Sequence, residues 1–250
     1  MTIAIIGGTG TLGRAVVDVL RSRGPDVRAV SRHSPDYPAD LTTGEGLDAA
    51  LHGCDAVVDA SNGPSSGKAA AVLVDGSRRL LEAEARAGVR HHVCVSIIGI
   101  DEVPMRYYKV KVAQERVVEQ GPVSWTIVRA TQFHDLLGML LATTVRWRVL
   151  PAVKALFQPV EVREVAAAVA GVAAGDPRRG RLTVAGPEVH DLRSLGRLWC
   201  AATARRALPV PLPLVGRIGG ALGRGALTCA APDVRGSVTF AEWLRAQQSA

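Results

Sequence analysis

The sequence predicts an α/β protein. It reads as a doubly wound parallel sheet with helices on both faces and a small C-terminal portion packed on the core. Three observations predict this. Short Val/Ile-rich runs alternate with longer stretches of helical spacing. A glycine-rich turn follows the first of those runs. Single glycines recur just ahead of later ones.

The short runs are Thr2–Ile6, 27–31, 56–60, 92–97 and 124–129. They are almost continuously apolar, as strands covered on both faces must be. The stretches between them place Val16, Val17 and Leu20, then Leu80, Leu81 and Ala85, at helical spacing. Gly24, Gly53, Gly88 and Gly121 each stand after a helical stretch and before a strand. That is where a left-handed helix cap is wanted, and glycine adopts it without a Cβ clash. In the second half, 164–174 and 192–203 read as helices, 181–185 as a strand, and 239–244 as a short terminal helix. The proline-rich stretch 209–213 reads as an extended connector, since proline disrupts helices and central strands. Residues 1–150 are expected to form the nucleotide-binding core. Residues 151–250 are expected to form the substrate-binding portion of the same structural unit.

Length and composition exclude several classes. A chain of 250 residues buries enough surface to fold without staples. The four cysteines form no CxxC pair, so neither a zinc site nor a disulfide framework is indicated, and no metal is expected. The whole net charge of +7 lies in residues 131–250, with 15 basic and 8 acidic residues; residues 1–130 carry 15 of each. The arginines are scattered rather than interleaved with aromatics, so nucleic acid is not the expected partner. The amino terminus runs into the glycine turn with no basic segment before it, unlike a signal peptide. The run closest to a membrane span, residues 136–145, is too short for a bilayer. A soluble cytoplasmic protein with no membrane partner, monomeric or homodimeric, is the expectation.

The glycine turn carries the first chemistry. Gly7, Gly10 and Gly13 have the spacing G-x-x-G-x-x-G between the first strand and the first helix. The first glycine permits the turn, the second admits a diphosphate to the backbone, and the third lets helix and strand pack closely. The amides of Thr11 and Leu12, opening the helix, would then meet the phosphates. At the end of the second strand stand Ser31 and Arg32, where an acidic residue would favour NAD. A guanidinium fork suits a 2′-phosphate, and Ser31 can add a hydroxyl bond, so NADP, with NADPH preferred over NADH, is the expected cofactor. Asp40 and Leu41 are candidates for the adenine.

Tyr107 and Lys111 stand four apart after the fourth strand, a spacing that puts them on one helix face. An ammonium beside a phenol, together with an oxidised nicotinamide, favours the phenolate and lowers its pKa, which suits proton transfer. Ser96 closes the preceding strand and can hold a carbonyl oxygen. Gln132, Phe133 and His134 follow the fifth strand, where ligands of parallel sheets bind, and are candidates for the substrate. His91 and His92 begin a strand and point to opposite faces, which excludes simple chelation.

These segments resemble the short-chain dehydrogenase/reductase superfamily, and more closely its atypical, NmrA-like or NAD(P)H-binding branch. The resembling residues are 6–13, 74–81, 93–100, 107–115 and 125–133, covering most of residues 2–135. The resemblance implies a Rossmann core, NAD(P)H and a small organic substrate. It marks Gly7, Gly10 and Gly13 for the diphosphate, Arg32 for the 2′-phosphate, Tyr107 and Lys111 for catalysis, and Ser96 for the serine position. Lys111 would also touch the cofactor. Ala60, Ser61 and Asn62 occupy the cofactor-contacting place after the third strand, departing from the family's Asn-Asn-Ala-Gly. The expected activity is NADPH-dependent reduction of a carbonyl or enone of a small apolar molecule. Two alternatives remain open on the same fold: a non-catalytic NADP-binding sensor or regulator, and a biosynthetic isomerase, cyclase or dehydratase.

Overall fold

The computed structural model describes residues 1–63, 69–212 and 214–248. In chain order its elements are β1 (Thr2–Ile6), α1 (Thr11–Arg23), β2 (Asp26–Val30), α2 (Leu47–Leu51), β3 (Ala56–Asp59), α3 (Gly76–Ala87), β4 (His91–Ile97), α4 (Arg106–Glu119) and β5 (Trp125–Ala130). There follow α5 (His134–Val145), β6 (Val149–Ala152), β7 (Leu156–Phe157), α6 (Val162–Ala173), β8 (Gly180–Ala185), β9 (His190–Asp191) and α7 (Leu192–Ala202). The chain ends with β10 (Leu208–Pro211), α8 (Gly216–Gly223), β11 (Val234–Arg235) and α9 (Phe240–Gln248). A turn of π-helix, Ala71–Asp75, leads into α3.

The central sheet is parallel and seven-stranded, in the order β11-β8-β5-β4-β3-β1-β2. This is the doubly wound, Rossmann-like architecture expected of the alternating pattern. From β1 the chain pairs β2 on one side and β3 on the other. That reversal opens a crevice beside the carboxyl ends of β1 and β3, the position where such sheets bind ligands.

The chain forms two compact units. The first comprises Met1–Ser96, Arg106–Arg129 and Arg163–Leu182. The second comprises Ile97–Met105, Ala130–Val162 and Thr183–Ala250, with its description ending at Gln248. In the first unit, Ile3, Ile5, Leu20, Leu80, Leu81 and Ile127 are fully enclosed. Aliphatic side chains therefore build that core, as burial of apolar area requires. In the second, β6 pairs in parallel with β10, β7 pairs antiparallel with β9, and α7 packs on β6 and α9.

Gly24, Gly53 and Gly88 have φ of 101°, 71° and 74°, the left-handed conformation expected of them. Gly121 does not. It is small for another reason: a Cβ there would lie 2.9 Å from Leu81 Cδ1. The proline-rich stretch is also more than a connector, because Leu208–Pro211 pairs with Val149–Ala152 as β10. The prolines are tolerated because β10 belongs to a two-stranded sheet, where an edge needs no donor on its outer side. Pro213, the last residue of that stretch, lies outside the described residues.

His91 and His92 do face opposite ways. His91 meets Thr126 Oγ1 at 2.9 Å, whereas His92 Nδ1 meets the buried Glu84 carboxylate at 2.8 Å. The four cysteines are free thiols, and among the described residues no group of three His, Cys, Asp or Glu is placed to hold a metal.

Candidate functional site

The site in the first unit begins at the turn between β1 and α1. Gly7 has φ 73°, and Gly10 N donates to Gly7 O at 2.8 Å, closing the turn. Arg14 N then donates to Gly10 O at 2.9 Å as the first helical bond. Crowding explains the glycines. A Cβ on Gly13 would fall 2.1 Å from Gly7 O, and one on Gly7 would fall 2.9 Å from Ala60 O. Gly10 caps α1 without a side chain, and the first turn holds no acidic residue. The opening amides of a helix carry partial positive charge and have no intrahelical acceptors, so this end is built to receive an anion. Thr11 is exposed there, while Leu12 is buried against the core. The uncapped turn, and the approach of Ala60 that only Gly7 allows, fit a dinucleotide diphosphate.

After β2, the Ser31 carbonyl accepts from Ser34 N and Ala39 N, which folds the loop back beside the strand. Ser31 Oγ accepts from His33 N at 3.3 Å, and Arg32 is exposed beside it. Asp40 accepts from Thr42 N and Thr42 Oγ1, both at 2.7 Å. These bonds, with a smaller contribution from Arg32, hold its carboxyl below the usual range. Both bonds end on Asp40 Oδ1. The Leu41 side chain belongs to the hydrophobic core and packs at Gly76, which leaves only its backbone for the expected adenine contact.

The loop after β3 faces α4. The Tyr107 hydroxyl donates to Asn62 Oδ1 at 2.7 Å. Burial, and secondarily Tyr108, pushes the Tyr107 phenol up to about 12. The expected lowering rests on Lys111 together with an oxidised nicotinamide; in the protein by itself burial sets the direction. Lys111 is directed elsewhere. It is buried, and Nζ donates to Val95 O at 2.8 Å and Gln114 Oε1 at 2.5 Å. The ammonium is committed to those two oxygens and is not among the causes acting on Tyr107. Tyr107 and Lys111 both lie on α4, and their side chains bond different groups. Ser96 is buried, and its hydroxyl has no partner among the described residues.

Beneath these groups lies a polar network that sequence reasoning missed. Gln114 Nε2 donates to Asp59 Oδ2 at 3.0 Å and to Ser77 Oγ at 3.1 Å. Asp59 Oδ1 accepts from Ser61 N at 2.9 Å, fixing the backbone next to Asn62. Asp59, Ser77, Gln114 and Lys111 are all buried. An acidic residue closing the otherwise apolar strand β3 was the available signal, since buried carboxylates require partners.

The remaining candidates belong to the second unit. Gln132 is buried, and neither polar atom of its side-chain amide has a partner among the described residues. Phe133 bridges to Val160 and is half-buried. His134 is fully enclosed: Nε2 meets Val238 O at 3.0 Å, and its ring packs on Phe240 and Trp243. It corrects the expectation of a substrate-facing histidine, because α9 covers it.

Residues 7–174 match a family described as NAD(P)H-binding. A curated relative from Streptomyces griseus, (4-alkanoyl-5-oxo-2,5-dihydrofuran-3-yl)methyl phosphate reductase, is 31% identical over 214 residues, covering 76% of this chain and 70% of that protein. Photosystem II assembly factor Ycf39 of Trieres chinensis is 31% identical over 151 residues, and the match spans only 47% of its length. Among solved structures, the NADPH complex of the NADPH-dependent quinone oxidoreductase QOR2 from Escherichia coli shares the fold. It has a TM-score of 0.83 at 18% identity, covering 98% of this chain and 99% of that one.

Proposed function

The chain belongs to the NAD(P)H-binding family, and from that premise we propose that it is an NADPH-dependent reductase of a carbonyl or conjugated enone in a small, largely apolar molecule, of the atypical, NmrA-like short-chain dehydrogenase/reductase type. The observation that carries this reading is the uncapped first turn of α1 behind Gly7, Gly10 and Gly13. It is a seat for a diphosphate that no side chain of the helix cap occupies. Arg32 would hold the 2′-phosphate and decide between NADPH and NADH.

Bound NADPH supplies the hydride. The chain supplies the proton and the surroundings. The Tyr107 phenol, pushed up to about 12, is fully protonated near neutral pH and so exists as a donor. In turnover its hydroxyl leaves Asn62 Oδ1 and delivers the proton to the substrate oxygen. Ser96 is the second hydroxyl for that oxygen. Lys111 acts from its seat on Val95 and Gln114, holding the buried end of α4 to β4 and β3. The test is NADPH oxidation against a panel of carbonyls and enones, with product analysis. Turnover is expected in the wild type, with a loss of about a hundredfold or more in Tyr107→Phe. Full activity in that variant would remove Tyr107 from the role.

One observation favours a second reading, a regulator that binds NADP without turnover. Lys111 is turned to backbone and amide oxygens and is not among the groups acting on the Tyr107 phenol. Tight NADPH binding with no product from any panel member supports it.

A further inference from the structure

The second unit exposes an apolar surface of unusual extent. Thirteen large hydrophobic residues are exposed in the protein as described, and ten of them fall in two short stretches. Leu136, Met139 and Leu140 form a stripe along the outer side of α5, which runs into Trp147, 73% exposed. Leu208, Val210, Leu212, Leu214, Val215 and Ile218 form the second stretch. Folding makes the two stretches neighbours. Leu208 N donates to Arg148 O at 2.9 Å, and β10 lies against β6 from Leu208↔Val149 to Pro211↔Ala152. Contiguous exposed apolar surface of this kind marks an interaction site.

Charge selects the occupant. Residues 136–160 and 192–232 contain no Asp or Glu at all, and they contain nine Lys and Arg. Arg146, Arg148, Arg205 and Arg206 flank the apolar residues and are exposed. The Arg146 guanidinium lies 5.7 Å from the Trp147 ring centroid. A second copy of the chain would bring arginine against arginine across a two-fold interface. Pairing of a partner strand along β10 is hindered because Pro209 and Pro211 lack the N–H such pairing uses. An anionic bilayer surface meets every requirement. It takes up Trp and Leu at the headgroup boundary, attracts arginine, and needs no strand pairing. No helix among the described residues is long and apolar enough to span a membrane, so the contact lies at the surface.

We propose that the β6–β10 edge, with Trp147 and the arginines at 146, 148, 205 and 206, is a docking surface for an anionic lipid bilayer. The proposal stands apart from the reductase reading and survives its failure.

The test is co-sedimentation of the full chain with phosphatidylcholine vesicles, with and without about 30% phosphatidylglycerol. Trp147 is the most exposed of the four tryptophans and reports contact by a blue shift in emission. Binding to the anionic vesicles, weakened by salt, is expected. It should fall about tenfold or more in R205E/R206E. It should also fall in L208S/L212S, and the emission shift should vanish in Trp147→Phe. These side chains are exposed, so the variants are expected to melt as the wild type does. Equal sedimentation with neutral and anionic vesicles would overturn the proposal. So would an unaltered R205E/R206E variant, or a stable dimer in which Trp147 is shielded without lipid.

Discussion

The hydroxyl of Tyr107 points at the side-chain oxygen of Asn62, 2.7 Å away, and not at Lys111. The phenol on α4 is thereby tied to the loop after β3. The ammonium four residues on serves a different layer of the structure.

This arrangement predicts a pH dependence. Burial raises the Tyr107 phenol from 10.0 to about 12. The folded protein therefore holds this proton more tightly than the unfolded chain does. Its contribution to stability is fully present below pH 10 and is lost as pH rises toward 12. Burial raises the neighbouring Tyr108 phenol as well, so ultraviolet titration of the three tyrosines should show late-ionising components of which Tyr107→Phe removes one. A late-ionising amplitude left unchanged by that substitution contradicts the assignment.

The glycine turn separates binding from folding. A Cβ on Gly10 would lie 3.2 Å from Gly7 O at an exposed position, a tight but local contact. Gly10→Ala should keep its melting temperature within a few degrees and lose about tenfold or more in NADP(H) affinity, roughly 1.4 kcal/mol. Gly13→Ala meets backbone at 2.1 Å and should be destabilised by about 1–3 kcal/mol or more. Calorimetric titration and thermal melts distinguish the two.

Arg32→Ala should weaken NADPH roughly tenfold to a hundredfold, the range for loss of a charge-assisted bond, and leave NADH unchanged. An equal loss for both coenzymes would place the guanidinium away from the 2′-phosphate.

The buried Glu84–His92 pair predicts a second pH effect. Burial is the largest single influence and pulls the His92 imidazole down, but Glu84 at 2.8 Å and Cys94 together outweigh it, and the net displacement is well above 6.5. A raised histidine contributes its stability fully below its unfolded value and loses it as pH rises through the folded one. The stability that wild type gains over Glu84→Gln should therefore be greater near about pH 6 than near about pH 9. Removing one partner leaves the other buried alone, at a cost of about 3–5 kcal/mol. Thermal melts at the two pH values measure both.

Gln114→Leu should destabilise by about 2–4 kcal/mol, because Lys111 and Asp59 each lose a buried partner. Combined with Lys111→Met in urea denaturation, the loss should be smaller than the sum, as for residues in one network.

Much of the fold was legible residue by residue. Continuous apolar runs marked β1 to β5 because strands covered on both faces have no polar side, and β1 falls on the expected residues. The turn glycines were legible because backbone crowding leaves no substitute at Gly7 and Gly13. The β10 strand and the cover that α9 lays over His134 were not, because each depends on a partner distant in the chain.

Local periodicity and glycine spacing sufficed to place a doubly wound sheet and a tight glycine turn, since both follow from neighbours within a few residues. Which oxygen Lys111 would choose, how far the Tyr107 phenol would rise, and that Trp147 would emerge beside Leu208 lay outside that information. Burial and hydrogen-bond partners are set by groups brought together from remote parts of the chain, and one-dimensional spacing carries no record of the packing that brings them there.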